Sequence, residues 1–152
     1  MPTSVMSHIS TASLRIGVLS TRTGHSIRAI RWYEAQGLMP GVQRDGGGRR
    51  VYAEGHVAWL QLMQRLRRTG MSIAEMRRYT SLVRQGRSTL AARQAMLQAH
   101  RERVQRTIAD WQQALALLDS KIDFYGQWQR TGKRPPLPEP SPTPRPNRRT
   151  PR

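Results

Sequence analysis

The sequence predicts a mainly α-helical protein, with a small helical head that contains one β-hairpin and a long helix that follows the head. Three observations predict this fold class. Serine and glycine residues mark the ends of several short helical segments, three consecutive glycines separate two short extended segments, and an apolar residue recurs every seven positions from Leu90 to Tyr125. The 152 residues suffice for about one compact domain with appendages.

The first two helices are predicted to be short and close together. Residues 16–23 form a helical segment that ends at Gly24, and Ser26 is a suitable N-cap for a second helix over residues 27–36. In the second helix Ile27 and Ile30 share an apolar face that can dock inward, while Arg28, Arg31, Trp32 and Ala35 fall on another face. This arrangement is typical of a helix-turn-helix unit, in which the second helix enters the DNA major groove.

A basic β-hairpin, or wing, is predicted to follow. Residues 42–45 and 49–52 flank three consecutive glycines, which permit the positive backbone angles of a tight turn. A helix over residues 57–70 comes next, and Ser72 and Glu75 form a capping-box signature before a further helix that ends at Gly86. These two helices connect the head to the rest of the chain.

The long helix carries a coiled-coil seam. Its second half has apolar residues at both alternating positions of the heptad, whereas Gln94 and Arg101 interrupt the first half. The first half is therefore predicted either to splay apart or to pack against the head. The predicted dimerisation residues are Leu97, Val104, Ile108, Trp111, Leu115, Leu118, Ile122 and Tyr125.

Charge is unevenly distributed along the chain. The net charge is +17, and only two of the 26 basic residues are lysines, which indicates a polyanionic partner. Eight of the ten prolines lie after residue 133. The predicted parts are a flexible N-terminus (1–13), a winged helix-turn-helix DNA-binding domain (14–87), a coiled-coil dimerisation helix (88–128) and a disordered Pro/Arg-rich tail (129–152). The tail is interpreted as a solvated linker, with non-specific DNA contact as the alternative.

Several spaced motifs occur in one order between Leu14 and Tyr125, and together they resemble the MerR family of transcriptional regulators. The matching segments are Ile16-Gly17, Thr23-Gly24, Ser26-Ile27-Arg28, Arg31-Trp32-Tyr33-Glu34, Gly37-Leu38, Gly48-Arg49-Arg50-Val51-Tyr52 and Thr69-Gly70-Met71-Ser72-Ile73. The resemblance implies a winged helix-turn-helix head, a two-helix connector and a long helix that pairs antiparallel in a homodimer. It also implies a mechanism in which the dimer distorts a promoter spacer that is too long for RNA polymerase.

Two positions depart from the family pattern. Trp32 stands where the family has the first of two adjacent tyrosines, so a hydroxyl that contacts phosphate is lost. Arg49 replaces the tyrosine of the usual Gly-Tyr-Arg wing motif, which adds a phosphate-binding charge and predicts stronger non-specific affinity. Relatives that sense metals or redox state use cysteines, and this chain has none.

The predicted DNA-binding residues lie on the second helix and the wing. Arg28, near the start of the helix, is the predicted base reader, and Arg31, Tyr33, Arg49 and Arg50 are assigned to the phosphate backbone. Tyr33 is interpreted either as a phosphate contact or as a core residue, and Trp32 and Trp59 as packing residues first. The full set is Ser26, Arg28, Arg31, Trp32, Tyr33, Arg49, Arg50 and Tyr52.

No constellation in the sequence supports an enzyme, a metal site or a bound cofactor. His8, His25, His56 and His100 lack ligand spacing and are interpreted as surface or capping residues. Trp111, Phe124, Tyr125 and Trp128 are more typical of packing, with an effector pocket as the alternative. A small organic effector, if one binds, is expected at the dimer helix or the head interface.

The predicted partners are double-stranded DNA with a pseudopalindromic promoter operator, a second copy of the chain and RNA polymerase. No segment is long and apolar enough for a membrane span, and the predicted location is the cytoplasm, in association with the nucleoid. Two alternatives stay open. One is an architectural or excisionase-like DNA-bending protein without promoter control, and the other is a basic coiled-coil protein that binds RNA or acidic partners.

Overall fold

The structure is a computed structural model that describes residues 13–137, and it confirms the mainly α-helical class. Of the predicted flexible N-terminus (1–13) only residue 13 is described, and the predicted tail (129–152) lies outside the described residues from residue 138 onward. The chain divides into two compact units, Met1–Gln105 and Arg106–Arg152. In chain order the elements are α1 (Ile16–Thr23), α2 (Ile27–Ala35), β1 (Gln43–Arg44), β2 (Arg50–Val51), α3 (Gly55–Arg68), α4 (Ile73–Arg84), a 3-10 helix (Gly86–Thr89) and α5 (Leu90–Thr131).

The helix ends follow from local hydrogen bonds, as predicted. Gly24 caps α1 in a left-handed conformation with φ of 71°. The Ser26 hydroxyl accepts a hydrogen bond of 3.1 Å from the backbone N–H of Ala29 and so begins α2. At α4, Ser72 and Glu75 form the full predicted capping box. The second helix ends at Ala35, one residue earlier than predicted.

The hairpin is shorter than predicted but has the expected antiparallel pairing. Gln43 pairs with Val51, and Arg44 pairs with Arg50. Asp45 shortens the strands because its carboxylate accepts hydrogen bonds from the backbone N–H groups of Gly47 (3.0 Å) and Arg49 (2.9 Å), which closes the turn. The hydrogen bond from Arg49, then the Arg15 guanidinium 2.7 Å from the carboxylate, and then the hydrogen bond from Gly47 lower the pKa of Asp45.

The core of the first unit corrects one prediction about α2. Ile30 is fully buried and Tyr33 is 4% exposed, whereas Ile27 is 39% exposed. With Tyr33 as the second inward residue, the inner face is centred between positions 30 and 33, so Ile27 turns toward the side of Arg31. The complete core comprises Leu19, Ile30, Tyr33, Leu38, Met39, Tyr52, Leu60, Met63, Leu66, Met71, Met76 and Tyr79.

The first turns of α5 pack against this core. Met96 and Leu97 are partly buried against it, so the structure places Leu97 in the head and not on an open seam. Of the two alternatives for the first half of the helix, the structure supports packing against the head. This packing agrees with the interrupted heptad pattern. A helix segment whose apolar residues lie along a single edge can cover one partner surface, and here that surface is the core of the first unit.

The long helix ends at Thr131, so residues 129–131, predicted to belong to the tail, are helical. No proline or glycine occurs between Gly126 and Gly132, and Gly132 has φ of 66°, which suits a helix end. Gly126 lies within the helix. The helix tolerates it because a single interior glycine costs only about 1 kcal/mol of helix stability relative to alanine.

His100 joins α5 to the end of α3 and is 5% exposed. The Thr69 hydroxyl donates to the Arg65 carbonyl at 2.8 Å, so its oxygen accepts from His100 Nε2 at 2.8 Å. Arg103 lies 3.2 Å from His100 Nδ1, and its guanidinium group can only donate. The imidazole is therefore neutral, with its proton on Nε2.

We expect the stability of the first unit to fall as the pH drops below about 6.5. Burial, and then the Arg103 guanidinium, lower the pKa of His100 from its ordinary 6.5, with Glu75 opposing them. The unfolded chain then binds a proton more readily than the folded protein, so stability from this group is complete above that pH and is lost below it. Thermal unfolding against pH checks this, with His100→Gln as comparison because its amide still donates to Thr69. Identical pH slopes for the two proteins would contradict the prediction.

Candidate nucleic-acid interface

The outer face of α2 carries two unopposed guanidinium groups. Arg28 and Arg31 are exposed, and neither forms a hydrogen bond or ion pair with residues 13–137. Because Ile30 and Tyr33 face the core, the two arginines are directed outward from a fixed helix. An arginine in this position has all five N–H donors available for a phosphate or a guanine edge.

A shallow concavity of about 300 Å³ adjoins this face. The guanidinium of Arg67, at the end of α3, lies 4.4 Å from the centre of the Trp32 ring, a cation–π arrangement. The centre of the same indole lies 5.2 Å from the centre of the Tyr33 ring, and the two ring planes are inclined at 78°. The side chains that line the concavity are Ser26, Arg28, Ala29, Trp32, Tyr33 and Arg67.

Arg67 is a candidate contact that sequence reasoning missed. It stands 35 positions after Trp32, and no local pattern joins the two residues. The one available signal is the basic last turn of α3, with Arg65, Arg67 and Arg68, and such a turn is ordinarily explained by the helix dipole. The stacking also explains the departure at Trp32, because an indole offers a large surface to a guanidinium group.

The two predicted tyrosines differ in accessibility. Tyr33 lines the concavity but is 4% exposed, so at most an edge of the ring is accessible. Tyr52, a predicted DNA-binding residue, is 1% exposed with a buried hydroxyl, so it lies in the core and offers no surface to a ligand. Burial raises the pKa of Tyr52, and the neighbouring Glu34 carboxylate raises it further. Tyr52 also pairs with Leu14, which ties the wing to the start of the head.

The wing arginines divide into bound and open groups. Arg50 Nε donates to both carboxylate oxygens of Glu34, at 2.8 and 2.7 Å, and this contact raises the pKa of Arg50. Arg44 donates to the Gly48 carbonyl at 2.7 Å. Arg49 is exposed and makes no side-chain hydrogen bond or ion pair within the described part of the chain. Arg50 thus attaches the wing to α2, and Arg49 is the wing cation open to a ligand.

The second unit exposes the predicted seam. Trp111 is 72% exposed and Ile122 is 67% exposed, large fractions for apolar side chains on an ordered helix. Val104, just before this unit, is half-buried. The exposed seam residues are Ile108, Trp111, Leu115, Leu118, Ile122 and Tyr125. An apolar stripe of this length is typical of a partner surface.

Three of the four residues of the alternative effector pocket lie together. Phe124 is 7% exposed and packs edge to face with the rings of Tyr125 and Trp128. Its ring centre lies 5.4 Å from that of Tyr125 and 6.0 Å from that of Trp128. Lys121 lies over the Phe124 ring, and Arg134 lies over the Trp128 ring. Trp111 makes no ring contact with this group in the described chain, so the structure does not bring all four aromatics together.

The histidines within residues 13–137 are buried, so of the two interpretations, surface or capping, the surface one is wrong for them, and His8 lies outside the described residues. His56 Nδ1 accepts from the Ala53 N–H, and its Nε2 lies 2.8 Å from the Pro40 carbonyl. His25 and His100 are also buried. No group of three or more metal-ligating side chains occurs among these residues. None of the helices there has the length and apolarity needed to cross a membrane.

Two family profiles match this chain. One, described as "MerR HTH family regulatory protein", covers residues 14–82, and the other, "MerR, DNA binding", covers residues 57–121. An uncharacterized HTH-type transcriptional regulator of Haemophilus influenzae is 32% identical over 111 residues, which are 73% of this chain and 82% of that protein. The regulator AdhR of Bacillus subtilis is 32% identical over 91 residues, 60% of this chain and 65% of its own.

Solved structures show the same fold. HiNmlR, a MerR family regulator that lacks the sensor domain and was solved bound to promoter DNA, superposes with a TM-score of 0.70 at 29% identity and covers 80% of this chain and 97% of its own. A MerR family regulator from Bacillus thuringiensis gives a TM-score of 0.66 at 28% identity, over 74% of this chain and 98% of its own. The chain therefore belongs to the MerR family, whose members are DNA-binding transcriptional regulators and not enzymes.

Proposed function

We propose that the protein regulates transcription as a homodimer that binds a promoter operator sequence-specifically. The observation that carries this proposal is the outer face of α2, where Arg28 and Arg31 are held outward by a buried inner face and have no acidic partner in residues 13–137. A relative of similar fold was solved on promoter DNA, which supports the same role for this face. In the proposal α2 enters the major groove.

Each cation has its own role in this complex. Arg28, in the first turn of α2, reads a base edge, because N-terminal residues of a recognition helix reach the bases. Arg31, Arg49 and Arg67 bind phosphates, with Arg67 oriented by its stacking on Trp32. Arg50 attaches the wing to α2 through Glu34, and this contact positions the wing that carries Arg49 beside the duplex.

The homodimer is supported by the exposed seam of the second unit. Six large apolar side chains at heptad spacing lie in water in a single chain, and pairing would bury them. The antiparallel sense is taken from the resemblance to the family. A two-fold dimer with two reading heads requires a pseudopalindromic operator.

In the proposed mechanism the dimer distorts a promoter spacer and so changes how RNA polymerase engages it. DNA deformation contributes to specificity at base pairs that the protein does not touch. The protein acts on chromosomal DNA in the cytoplasm. A small organic effector, where one is used, binds beside the aromatic group of Phe124, Tyr125 and Trp128, which joins apolar rings to nearby cations.

Selection of bound fragments from random and genomic DNA, followed by footprinting, tests the proposal. The selection is done at physiological salt, because a chain with a net charge of +17 binds any DNA tightly at low salt. We expect a two-fold symmetric site that lies across a promoter spacer. A single asymmetric half-site, or enrichment without a motif, would favour the architectural DNA-bending protein.

A further inference from the structure

Ile27 is an apolar side chain that folding leaves partly exposed to solvent. It is the first residue of α2 and is 39% exposed, whereas Ile30, one turn later, is fully buried. A β-branched residue in an exposed helical position has lower helix propensity than alanine, leucine or lysine. Ile27 is not part of the hydrophobic core, and helix propensity does not favour isoleucine at this position.

The surroundings of Ile27 indicate what covers it. Arg31 follows by four residues and therefore lies on the same side of the helix, and Arg28 is the next residue. Both guanidinium groups are exposed without an acidic partner in the described chain. A ligand that suits this face carries negative charge for the two arginines and an apolar group for Ile27.

We propose that Ile27 contacts the C5-methyl group of a thymine in the operator and so selects that base pair. Thymine is the one base that presents an apolar group in the major groove, and phosphates supply the surrounding negative charge. The N-terminal residues of a recognition helix are those that meet base edges. This inference rests on the proposed binding of α2 in the major groove, and it assigns Ile27 a part in base specificity beside Arg28.

The test replaces each thymine of the selected operator, one at a time, with deoxyuridine, which lacks only the methyl group. Affinities are measured by fluorescence anisotropy at physiological salt for the wild type, Ile27→Ala and Ile27→Val. Val18→Ala is the matched control, because Val18 is an apolar residue of α1 with 46% exposure. Circular dichroism establishes that all four proteins are folded.

We expect one thymine in each half-site at which deoxyuridine weakens wild-type binding about fourfold, the value for one methyl group removed from water. Ile27→Ala should bind the thymine operator about fourfold less tightly and show no response to deoxyuridine there, whereas Ile27→Val and Val18→Ala should keep the response. A wild-type protein with sequence preference but no response at any thymine would overturn the inference, as would an unchanged response in Ile27→Ala. Equal wild-type affinity for operator and random DNA would overturn the proposed function as well.

Discussion

Replacing Arg28 with alanine is expected to weaken operator binding by about 1–3 kcal/mol and to relax the preference for one base pair in each half-site. The side chain is exposed in the first turn of α2 and has no hydrogen bond or ion pair within residues 13–137, so its loss leaves the head intact. Truncation removes a bidentate donor from a guanine edge. Anisotropy titrations on the operator, on its single-base variants and on random DNA measure the effect.

Arg49→Ala is the matched comparison. Arg49 is also an exposed, unpaired arginine of the described chain, but it lies on the wing, where it meets phosphates in the proposed complex. Its loss should weaken operator and random DNA alike and should lower the slope of log affinity against log salt by about one. Equal losses on operator and random DNA for both variants would count against sequence-specific recognition and in favour of architectural binding.

The parts of the fold that the sequence predicts correctly depend on contacts between near neighbours. The caps at Ser26 and Ser72 and the left-handed Gly24 involve partners within four residues. The antiparallel hairpin depends on Asp45 and the glycines that follow it. In each case only a few residue types suit the geometry, so the residue identities themselves predict the local structure.

The parts that the sequence does not predict depend on residues far apart in the chain. The Arg67–Trp32 stack, the Arg50–Glu34 pair and the His100–Thr69 hydrogen bond each join residues at least 16 positions apart. Periodicity also leaves the phase of α2 undetermined, because its inner face can be centred either on Ile27 and Ile30 or on Ile30 and Tyr33. Packing against the other helices of the head decides between these two inner faces. That packing involves residues far along the chain, so the sequence of α2 alone does not predict it.

The second large effect is expected for Leu115→Glu, which should convert the dimer to monomers. Leu115 is 58% exposed at the middle of the seam. In the proposed dimer a carboxylate at this position would be buried in the apolar interface against the second copy of the helix, which is energetically costly. The head should remain folded, because its core includes no seam residue after Leu97. Analytical ultracentrifugation measures the mass, and anisotropy measures operator affinity. Loss of simultaneous contact with two half-sites should weaken binding by about 10²–10⁴-fold.

Gln113→Glu is the control that separates charge from position. It adds the same carboxylate to the same exposed helix, two residues away and off the seam, so it should leave a dimer with near-normal affinity. A Leu115→Glu protein that stays dimeric would show that the stripe is not the interface. A monomeric variant with undiminished operator affinity would show that one head suffices, and that result would remove the reason for a two-fold operator.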